Sequence, residues 1–245
     1  MQLFYNEMLH EKSTELVFDK IESRHIIKVL RKEEGDLVFI TNGKNLLFEG
    51  EITQANDKRC RVLIKKTTQK ESTRNYTMSI AIAPTKNNAR YEWFLEKATE
   101  IGVDNIYPII CDHSERKVIK IERMNKVLQT ALKQSLQFKL PILHKTLSFK
   151  ELLQQIASFE DSNSKKEKFI ALCDFDKTKN HQLFTKIKQG SDILILIGPE
   201  GGFSPNEKAI ALENSFIPVS LGTNRLRTES AGIVALHSVS LANNL

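Results

Sequence analysis

The segment from Ile193 to Glu207, ILILIGPEGGFSPNE, constrains the fold more than any other part of the chain. Its apolar run leads directly into Gly198–Gly202, a pattern typical of a buried strand that ends in a tight turn. A helix is then predicted to begin with Ser204 as N-cap, Pro205 at the first helical position and Glu207 completing a capping box. Open α/β sheets bind ligands at such glycine-rich turns, because glycines let backbone N–H groups come close. We call Gly198–Gly202 the glycine loop.

The spacing within the glycine loop narrows the class of ligand. A triphosphate site of the Walker type needs Gly-Lys-Ser/Thr after the glycines, and here Phe203 follows Gly202. The dinucleotide pattern GxGxxG is also absent, because the spacing is GxxGG. On this loop alone, a tight structural turn stays open as an alternative to a ligand site.

A second loop of the same kind lies near the end of the sequence, in SLGTNRLRTESAGIVALHSVS. We call its first part, Ser220–Arg227, the arginine loop. A further helix is predicted after it, capped by Thr228 and carrying Glu229 in its first turn. Arg227 and Glu229 are close enough in sequence to form an ion pair that holds the loop, and a solvated Arg225 is the alternative to a functional one. We expect the two loops to face one pocket.

The sequence predicts two domains, 1–70 and 76–245. The first is rich in strands, and Asn42-Gly43 is a strong hairpin signal between two of them. A short helix is expected from Ser23 to Leu30, and the polar stretch Thr67–Asn75 is interpreted as a linker. The expected strands of the first domain are Leu37–Ile40, Leu46–Ile52 and Arg61–Lys65.

The second domain alternates short apolar runs with helical patterns, which indicates an α/β fold with a largely parallel sheet. One helix is expected to bury Tyr91, Leu95, Ala98 and Ile101, and another Met124, Val127, Leu128, Ala131, Leu132 and Ser135. The charged segment Glu160–Lys168 is predicted to be an exposed loop. The expected strands are Met78–Ala83, Asn105–Ile110, Phe169–Cys173, Ile193–Ile197 and Phe216–Ser220.

Composition and charge indicate where the protein is located and what it can bind. The chain has no apolar run of the roughly 20 residues that a membrane helix needs, and its start lacks the apolar core of a signal peptide, so a cytoplasmic location is expected. Three cysteines without CxxC spacing predict reduced structural thiols. The net charge is +6, and His113–Lys150 alone holds nine basic and two acidic residues, an excess of seven. Such a region suits RNA phosphates or a solvated helix face.

The sequence resembles the 16S ribosomal RNA uridine N3-methyltransferases, the RsmE family of the SPOUT superfamily. The resemblance rests on IGPEGGFSPNE together with SLGTNRLRTESAGIVAL. It continues in RHIIKVLRKEEGD, EKATEIGVDNIYP, SERKV and ALKQS with the following LP, and so covers nearly the whole chain. The sequence departs from the family pattern at Gln137, where many relatives carry arginine, and at Lys86–Arg90, where the usual stretch is lysine-glycine-aspartate-arginine.

The resemblance implies a PUA-like β-barrel followed by a SPOUT α/β domain with a C-terminal trefoil knot, acting as a homodimer on 16S ribosomal RNA or the small subunit. It implies S-adenosylmethionine as cofactor, bound by Leu196, Ile197, Gly198, Pro199, Glu200, Gly201, Ser220, Leu221, Gly222, Leu226 and Arg227. The residues expected to contact RNA are Arg24, His25, Lys28, Arg31, Lys86, Arg90, Arg116 and Lys117.

The chemistry implied by the resemblance suggests three catalytic candidates. Uridine N3 carries a proton at neutral pH and becomes a good nucleophile only when that proton leaves. Arg227 is expected to stabilise charge on the uracil carbonyls, while Glu229 or Glu200 accepts the proton or orients Arg227. No metal is expected, because the methyl group of a sulfonium is already activated.

Two other functions and two other residue roles stay open. The functions are a different SPOUT methylation, of a ribose 2′-oxygen or a guanine, and a non-catalytic RNA-binding assembly factor. Cys111-Asp112-His113 could suggest a metal or thiol site, but a structural role at a strand end is favoured, and His237 is expected to pack or cap.

Overall fold

The computed structural model describes residues 1–71, 74–158, 166–173 and 181–244. The chain forms two compact units, each with its own core. The first unit comprises Met1–Thr73 and Leu132–Leu140, and the second comprises Arg74–Ala131 and Pro141–Leu245. The assignment of Leu132–Leu140 to the first unit was not predicted from the sequence. This segment is held there by backbone hydrogen bonds from Asn45 N–H to the Phe138 carbonyl (2.8 Å) and from Leu140 N–H to the Gly43 carbonyl (2.9 Å).

The first unit is built on a curled five-stranded sheet. Its strands are β1 (Leu3–Tyr5), β2 (Glu15–Val17), β3 (Leu37–Thr41), β4 (Leu46–Gln54) and β5 (Arg61–Gln69), in the order β1-β3-β4-β5-β2. Strands β3 and β4 are antiparallel around Asn42-Gly43, which confirms the predicted hairpin. Gly43 has a φ of 72°, and a Cβ there would lie 2.9 Å from the Leu140 Cβ. Only glycine suits this turn.

Two expectations about the first unit need correction. Thr67–Gln69 is not part of a linker, because these residues complete β5 by pairing with Leu46–Phe48 of β4. The helix near Ser23 begins earlier than predicted, as α1 (Lys20–Arg24), and continues as a π-helical turn, His25–Val29. Asp19 caps α1 by accepting a hydrogen bond from the Glu22 N–H at 2.8 Å.

The second unit contains a seven-stranded sheet in which all pairings between the described strands are parallel. The strands are β6 (Met78–Ile82), β7 (Asn105–Ile110), β8 (Ile142–Leu143), β9 (Leu147–Ser148), β10 (Lys166–Ala171), β11 (Asp192–Ile197) and β12 (Ile217–Val219). The order is β12-β10-β11-β6-β7-β8, with β9 also paired to β7. The largely parallel sheet expected from the alternating pattern is confirmed.

This strand order contains a switch point at the centre of the sheet. Strands β6 and β11 are neighbours, yet the chain leaves β6 for β7 on one side and leaves β11 for β12 on the other. Connections that diverge in this way leave a crevice at the carboxyl ends of the strands, where α/β proteins place their ligands. The glycine loop follows β11 directly, so it lies at that crevice.

Among the described residues, the second unit also contains the α-helices α2 (Asn88–Ile101), α3 (Ile121–Gln134), α4 (Phe149–Ser158), α5 (Pro205–Glu213) and α6 (Thr228–Asn244). The last residues of α3 cluster with the first unit. The predicted buried face of α2 is confirmed for Tyr91, Leu95 and Ala98, each fully buried, whereas Ile101 is only half-buried. In the part of the chain that the structure describes, no helix has the length and apolarity of a membrane span.

Two further expectations about the second unit change. Residues 166–168 of the predicted loop Glu160–Lys168 belong to β10, where they pair with β11, and residues 160–165 lie outside the described residues. Thr228 is the first residue of α6 rather than its cap, because the carbonyl of Arg227 already accepts the Ala231 N–H at 2.7 Å. Glu229 does lie in the first turn, as predicted.

A close contact between α6 and α2 leads to the first prediction. A Cβ on Gly232 would lie 2.6 Å from Cε2 of Phe94 and 2.9 Å from Cδ1 of Ile82. We expect Gly232→Ala to lower the free energy of unfolding by about 1–3 kcal/mol, because overpacking outweighs the better helix propensity of alanine. Urea denaturation measures the change. His237→Ala, at an exposed position of the same helix, is the control and should stay within about 0.5 kcal/mol. Equal stability of both variants would contradict the tight contact.

Candidate functional site

A cavity of about 470 Å³ opens at the carboxyl ends of β10, β11 and β12. Both predicted loops line it, so Gly198 and Gly222 face one pocket, as expected from the sequence. The other walls come from the end of β10 and from α5 and α6. The lining residues are Ala171, Leu172, Cys173, Ile197, Gly198, Pro199, Glu200, Gly201, Gly202, Phe203, Lys208, Leu221, Gly222, Thr223, Asn224, Arg225, Leu226, Thr228 and Ala231.

The shape of the glycine loop is fixed mainly through its carbonyl groups. The Pro199 carbonyl accepts the Gly202 N–H at 2.8 Å, which closes a turn with a φ of 73° at Gly202. Three other carbonyls accept side-chain donors from separate segments. Gly198 accepts Thr228 Oγ1 (3.1 Å), Glu200 accepts Arg225 Nη2 (3.3 Å) and Gly202 accepts His113 Nδ1 (3.1 Å). The loop is therefore held by donors from three other segments of the chain.

The helix after the glycine loop begins as the sequence predicts. Ser204 Oγ accepts the Glu207 N–H (3.2 Å), and the Glu207 carboxylate accepts the Ser204 N–H (2.8 Å), which completes the capping box. Glu207 is 3% exposed and also accepts the Asp112 N–H at 3.0 Å. Ser204 Oγ in turn donates to Asp112 Oδ2 at 2.5 Å. The helix start is thus tied to the segment that follows β7.

The arginine loop offers backbone groups to the cavity. Ser220 Oγ bonds both the N–H and the carbonyl of Gly222, which stabilises the φ of 132° at that glycine. Between residues 223 and 226, the structure shows no backbone hydrogen bond to any other described residue. Thr223, Asn224, Arg225 and Leu226 all line the cavity. Their N–H and carbonyl groups are therefore available to a polar ligand.

The predicted cofactor residues divide into two groups. Those that line the cavity are Ile197, Gly198, Pro199, Glu200, Gly201, Leu221, Gly222 and Leu226. Leu196, Ser220 and Arg227 are not part of its wall. Leu196 is completely buried in the core, because adjacent strand residues such as Leu196 and Ile197 point to opposite faces of the sheet. Ser220 acts on the loop itself, through its two bonds to Gly222.

The three catalytic candidates have different surroundings. Glu229 is 6% exposed, and its Oε1 lies 3.7 Å from Arg90 Nε. Its Oε2 is shielded from solvent and has no hydrogen-bond partner among the described residues. Glu200 Oε1 accepts the backbone N–H of Lys86 at 3.2 Å. Arg227 is exposed, and no ion pair joins it to Glu229 or to any other described residue.

The basic residues predicted to contact RNA also differ in their exposure and in their partners. In the second unit, Lys117 is exposed, and Lys86 is exposed while pairing with Glu115 at 2.8 Å. Arg116 is half-buried and donates through Nε to the carbonyls of Thr85 (3.0 Å) and Lys86 (3.2 Å). Arg116 therefore also holds the turn that leads into α2.

In the first unit, the predicted RNA-contacting residues lie along α1 and the π-helical turn. Arg24, Lys28 and Arg31 are exposed, and Lys28 is 4.0 Å from Asp57. Arg31 has a φ of 53°, so it lies beyond the end of the helical segment. His25 is half-buried, with its ring edge-on to Phe4 at 6.1 Å between centroids.

Comparison with known proteins identifies the family. A family model described as an RNA methyltransferase domain matches residues 72–240, more than half of the chain. The chain belongs to the RNA methyltransferase family. A second model, described as an RNA methyltransferase PUA domain, matches residues 18–65 in the curled sheet of the first unit. The resemblance noted in the sequence is therefore confirmed.

Individual members of the RNA methyltransferase family match this chain over almost its full length. "Ribosomal RNA small subunit methyltransferase E" of Bacillus subtilis (strain 168) is 26% identical, over 100% of this chain and 98% of its own. The crystal structure of a probable rRNA-methyltransferase from Porphyromonas gingivalis is 37% identical with a TM-score of 0.85, covering 98% of this chain and 99% of that one. A Legionella pneumophila methyltransferase solved with bound SAM is 25% identical with a TM-score of 0.83, covering 98% and 97%.

Several residues around this cavity were not predicted as site residues from the sequence. Thr228 was interpreted only as a helix cap, and Asp112 and His113 only as a strand end, yet all three hold the glycine loop or the helix after it. A signal was available for Asp112 and His113. They directly follow β7, and the carboxyl ends of parallel strands meet at one edge of a sheet. The cavity wall at Phe203 and Lys208 carried no comparable signal.

The cysteines of this family member provide the second prediction. Cys60 and Cys111 are buried and Cys173 is exposed at the cavity. Burial raises the pKa of both buried thiols, and the nearby Glu207 carboxylate raises that of Cys111 further. A higher pKa leaves less thiolate at a given pH, so alkylation slows. We expect iodoacetamide at pH 8 to modify Cys173 first and the other two only after denaturation, as seen by peptide mass spectrometry. Early modification of Cys111 would contradict its buried position.

Proposed function

We propose that this protein transfers a methyl group from S-adenosylmethionine to N3 of a uridine in 16S ribosomal RNA. One observation carries the proposal: the glycine loop and the arginine loop line one cavity in the domain that matches the RNA methyltransferase family. The names of the relatives support the small-subunit substrate, and the SAM-bound Legionella pneumophila structure supports the cofactor.

The residues around the cavity fit S-adenosylmethionine. The volume of about 470 Å³ is within the usual range for small-molecule sites, about 300–1,000 Å³. The backbone groups of residues 223–226, which have no backbone partner among the described residues, suit the hydrogen-bonding edge of an adenine. The apolar side chains of Ile197, Leu221 and Leu226 suit its ring faces. A side chain at Gly222 would be strained at its φ of 132°. The Glu200 carboxylate provides negative charge for a cationic ligand.

Positioning is the main contribution that these residues make to catalysis. When bound, S-adenosylmethionine supplies a methyl group on a sulfonium, which is already activated for transfer. The two loops hold the ligand in one orientation, and such alignment of two reactants can lower a barrier by several kcal/mol. Because four of the five carbonyls of the glycine loop are already hydrogen-bonded, the loop needs little rearrangement when the ligand enters.

The acceptor base requires charge stabilisation and removal of a proton. Arg227 is exposed beside the cavity and has no ion-pair partner among the described residues, and we assign it the stabilisation of charge on the uracil carbonyls. Of the two carboxylates, Glu200 lines the cavity and keeps Oε2 free of the Lys86 N–H, so we assign it removal of the proton. Glu229 is buried outside the cavity wall, and its Oε2 has no partner among the described residues. Arg90 pairs with Glu229 at 3.7 Å and balances its negative charge.

The RNA has to reach this site with its target base unpaired. N3 lies on the Watson–Crick edge, so the uridine must be flipped out or single-stranded. We assign RNA contact to Arg24, His25, Lys28 and Arg31 of domain 1–70 and to Lys86, Arg90, Arg116 and Lys117 of domain 76–245. We further propose that the enzyme acts in the cytoplasm as a homodimer with knotted methyltransferase domains, in line with its resemblance to the SPOUT superfamily.

Two measurements test the proposed function. Calorimetry with S-adenosylmethionine should show saturable binding, and the cofactor should protect Cys173 from alkylation because this cysteine lines the cavity. Small subunits or 16S RNA from a strain lacking the gene should then be incubated with the protein and S-adenosylmethionine. This reaction should yield 3-methyluridine, detected by nucleoside mass spectrometry. Absence of binding heat would support an RNA-binding assembly factor, and a 2′-O-methylated or guanine product would support another methylation.

The exposed arginine beside the cavity provides the next prediction. Arg227→Ala should lower kcat for methylation by about 100- to 1,000-fold, as expected for loss of a group that stabilises transition-state charge. The Kd for S-adenosylmethionine should change less than about twofold, because Arg227 is not part of the cavity wall.

Lys188→Ala is the charge-matched control for this change. Lys188 is 83% exposed and precedes β11, so it lies toward the opposite end of the sheet from the cavity. It should retain wild-type kcat. Near-wild-type turnover of Arg227→Ala would remove Arg227 from the mechanism.

A further inference from the structure

His113 lies against the glycine loop although it comes from a different part of the sheet. It follows β7, whereas the glycine loop follows β11. Its Nδ1 is 3.1 Å from the Gly202 carbonyl, which can only accept, so the imidazole must be protonated at Nδ1 and donate. A Cβ on Gly201 would come within 3.0 Å of the His113 Cβ and 3.4 Å of its Cγ. The glycine loop and His113 are therefore in close contact over two consecutive residues.

The residue before His113 holds the other side of the same turn. Asp112 accepts Ser204 Oγ at 2.5 Å and donates its N–H to Glu207 at 3.0 Å. Gly202 and Ser204 flank Phe203, which lines the cavity. Asp112 and His113 thus fix the chain on both sides of a cavity-lining residue. Neither residue is itself part of the cavity wall.

We infer that His113 is a positioning residue for the cofactor loop, acting through its hydrogen bond to the Gly202 carbonyl. This inference rests on the proposed function, because the cavity is taken to bind S-adenosylmethionine. With that bond in place, the Gly202 carbonyl has a fixed partner and the turn at Pro199–Gly202 keeps its shape before the ligand arrives. Without it, the loop must be ordered during binding, which weakens affinity.

Three substitutions separate the hydrogen bond from the bulk of the side chain. The Nδ2 of asparagine occupies nearly the same position as histidine Nδ1 and can also donate, so His113→Asn keeps the bond. Aspartate has the same shape but offers only acceptor oxygens, so His113→Asp places an acceptor against a carbonyl. His113→Ala removes the group altogether. The Asn and Asp variants form a matched pair of nearly equal shape. The Asn side chain is neutral and has a donor, whereas the Asp side chain is negatively charged and has none.

The first readout is the Kd for S-adenosylmethionine by calorimetry. We expect a rise of about 3- to 10-fold for His113→Ala and His113→Asp, in line with the loss of one hydrogen bond, and less than about twofold for His113→Asn. The negative charge of the Asp variant would by itself attract the sulfonium and strengthen binding. Weaker binding by this variant would therefore report the lost hydrogen bond. At saturating cofactor, kcat should stay near the wild-type value in all three, because His113 is not part of the cavity wall.

The second readout needs no ligand. Hydrogen–deuterium exchange of the peptide covering residues 198–204, in protein without cofactor, should be faster in the Ala and Asp variants and unchanged in the Asn variant. Peptides from the first unit should exchange as in the wild type in all three. Uniformly faster exchange would indicate general destabilisation instead of a local effect and would overturn the inference.

The two readouts distinguish failure of the inference from failure of the proposed function. If the wild type shows no heat with S-adenosylmethionine, the cofactor assignment fails whatever the variants do. If the wild type binds and all variants bind within about twofold of it, or if Asn behaves like Ala in exchange and affinity, the positioning role of His113 is wrong.

Discussion

The glycine loop depends on hydrogen bonds that its own segment cannot provide. A turn keeps one shape more readily when its backbone carbonyls have hydrogen-bond partners. Here the partners come from α6, from the arginine loop and from the segment after β7, as Thr228, Arg225 and His113. These elements meet only because three parallel strands end at the same edge of one sheet. The site is thus a property of the sheet topology as much as of the loop.

The same topology explains why the catalytic candidates have such different surroundings. Glu200 lies within the turn, and its carboxylate accepts a hydrogen bond from the Lys86 N–H. Glu229 lies at the start of α6 beside Arg90. Helix α6 can approach α2 closely because Gly232 leaves room for Phe94. That close packing buries Glu229 and leaves Arg227, two residues earlier, exposed. One helix start therefore presents a shielded carboxylate and an exposed cation.

Much of the local structure could be predicted from residue patterns. The strand Asn105–Ile110 has the predicted bounds, and the capping box at Ser204 and Glu207 is present, because these signals depend on neighbours only a few residues away. Predictions failed where a distant partner decides. Thr67–Gln69 is polar, yet it forms strand because β4 supplies the ladder bonds. Arg227 and Glu229 are adjacent enough to pair, yet Glu229 faces Arg90 from another helix.

The sequence by itself determined the family, the parallel α/β organisation and the two loops of the site, because long ordered motifs and short-range periodicity are written directly in the chain. Only the tertiary structure decided which side chains complete those loops. Leu196 and Ile197 are neighbours in sequence, but the pleat sends one to the core and the other to the cavity. His113 and Gly202 are 89 residues apart, and their contact exists only once both strands lie in one sheet. Hydrogen bonds between such distant segments follow from three-dimensional proximity, which residue spacing does not encode.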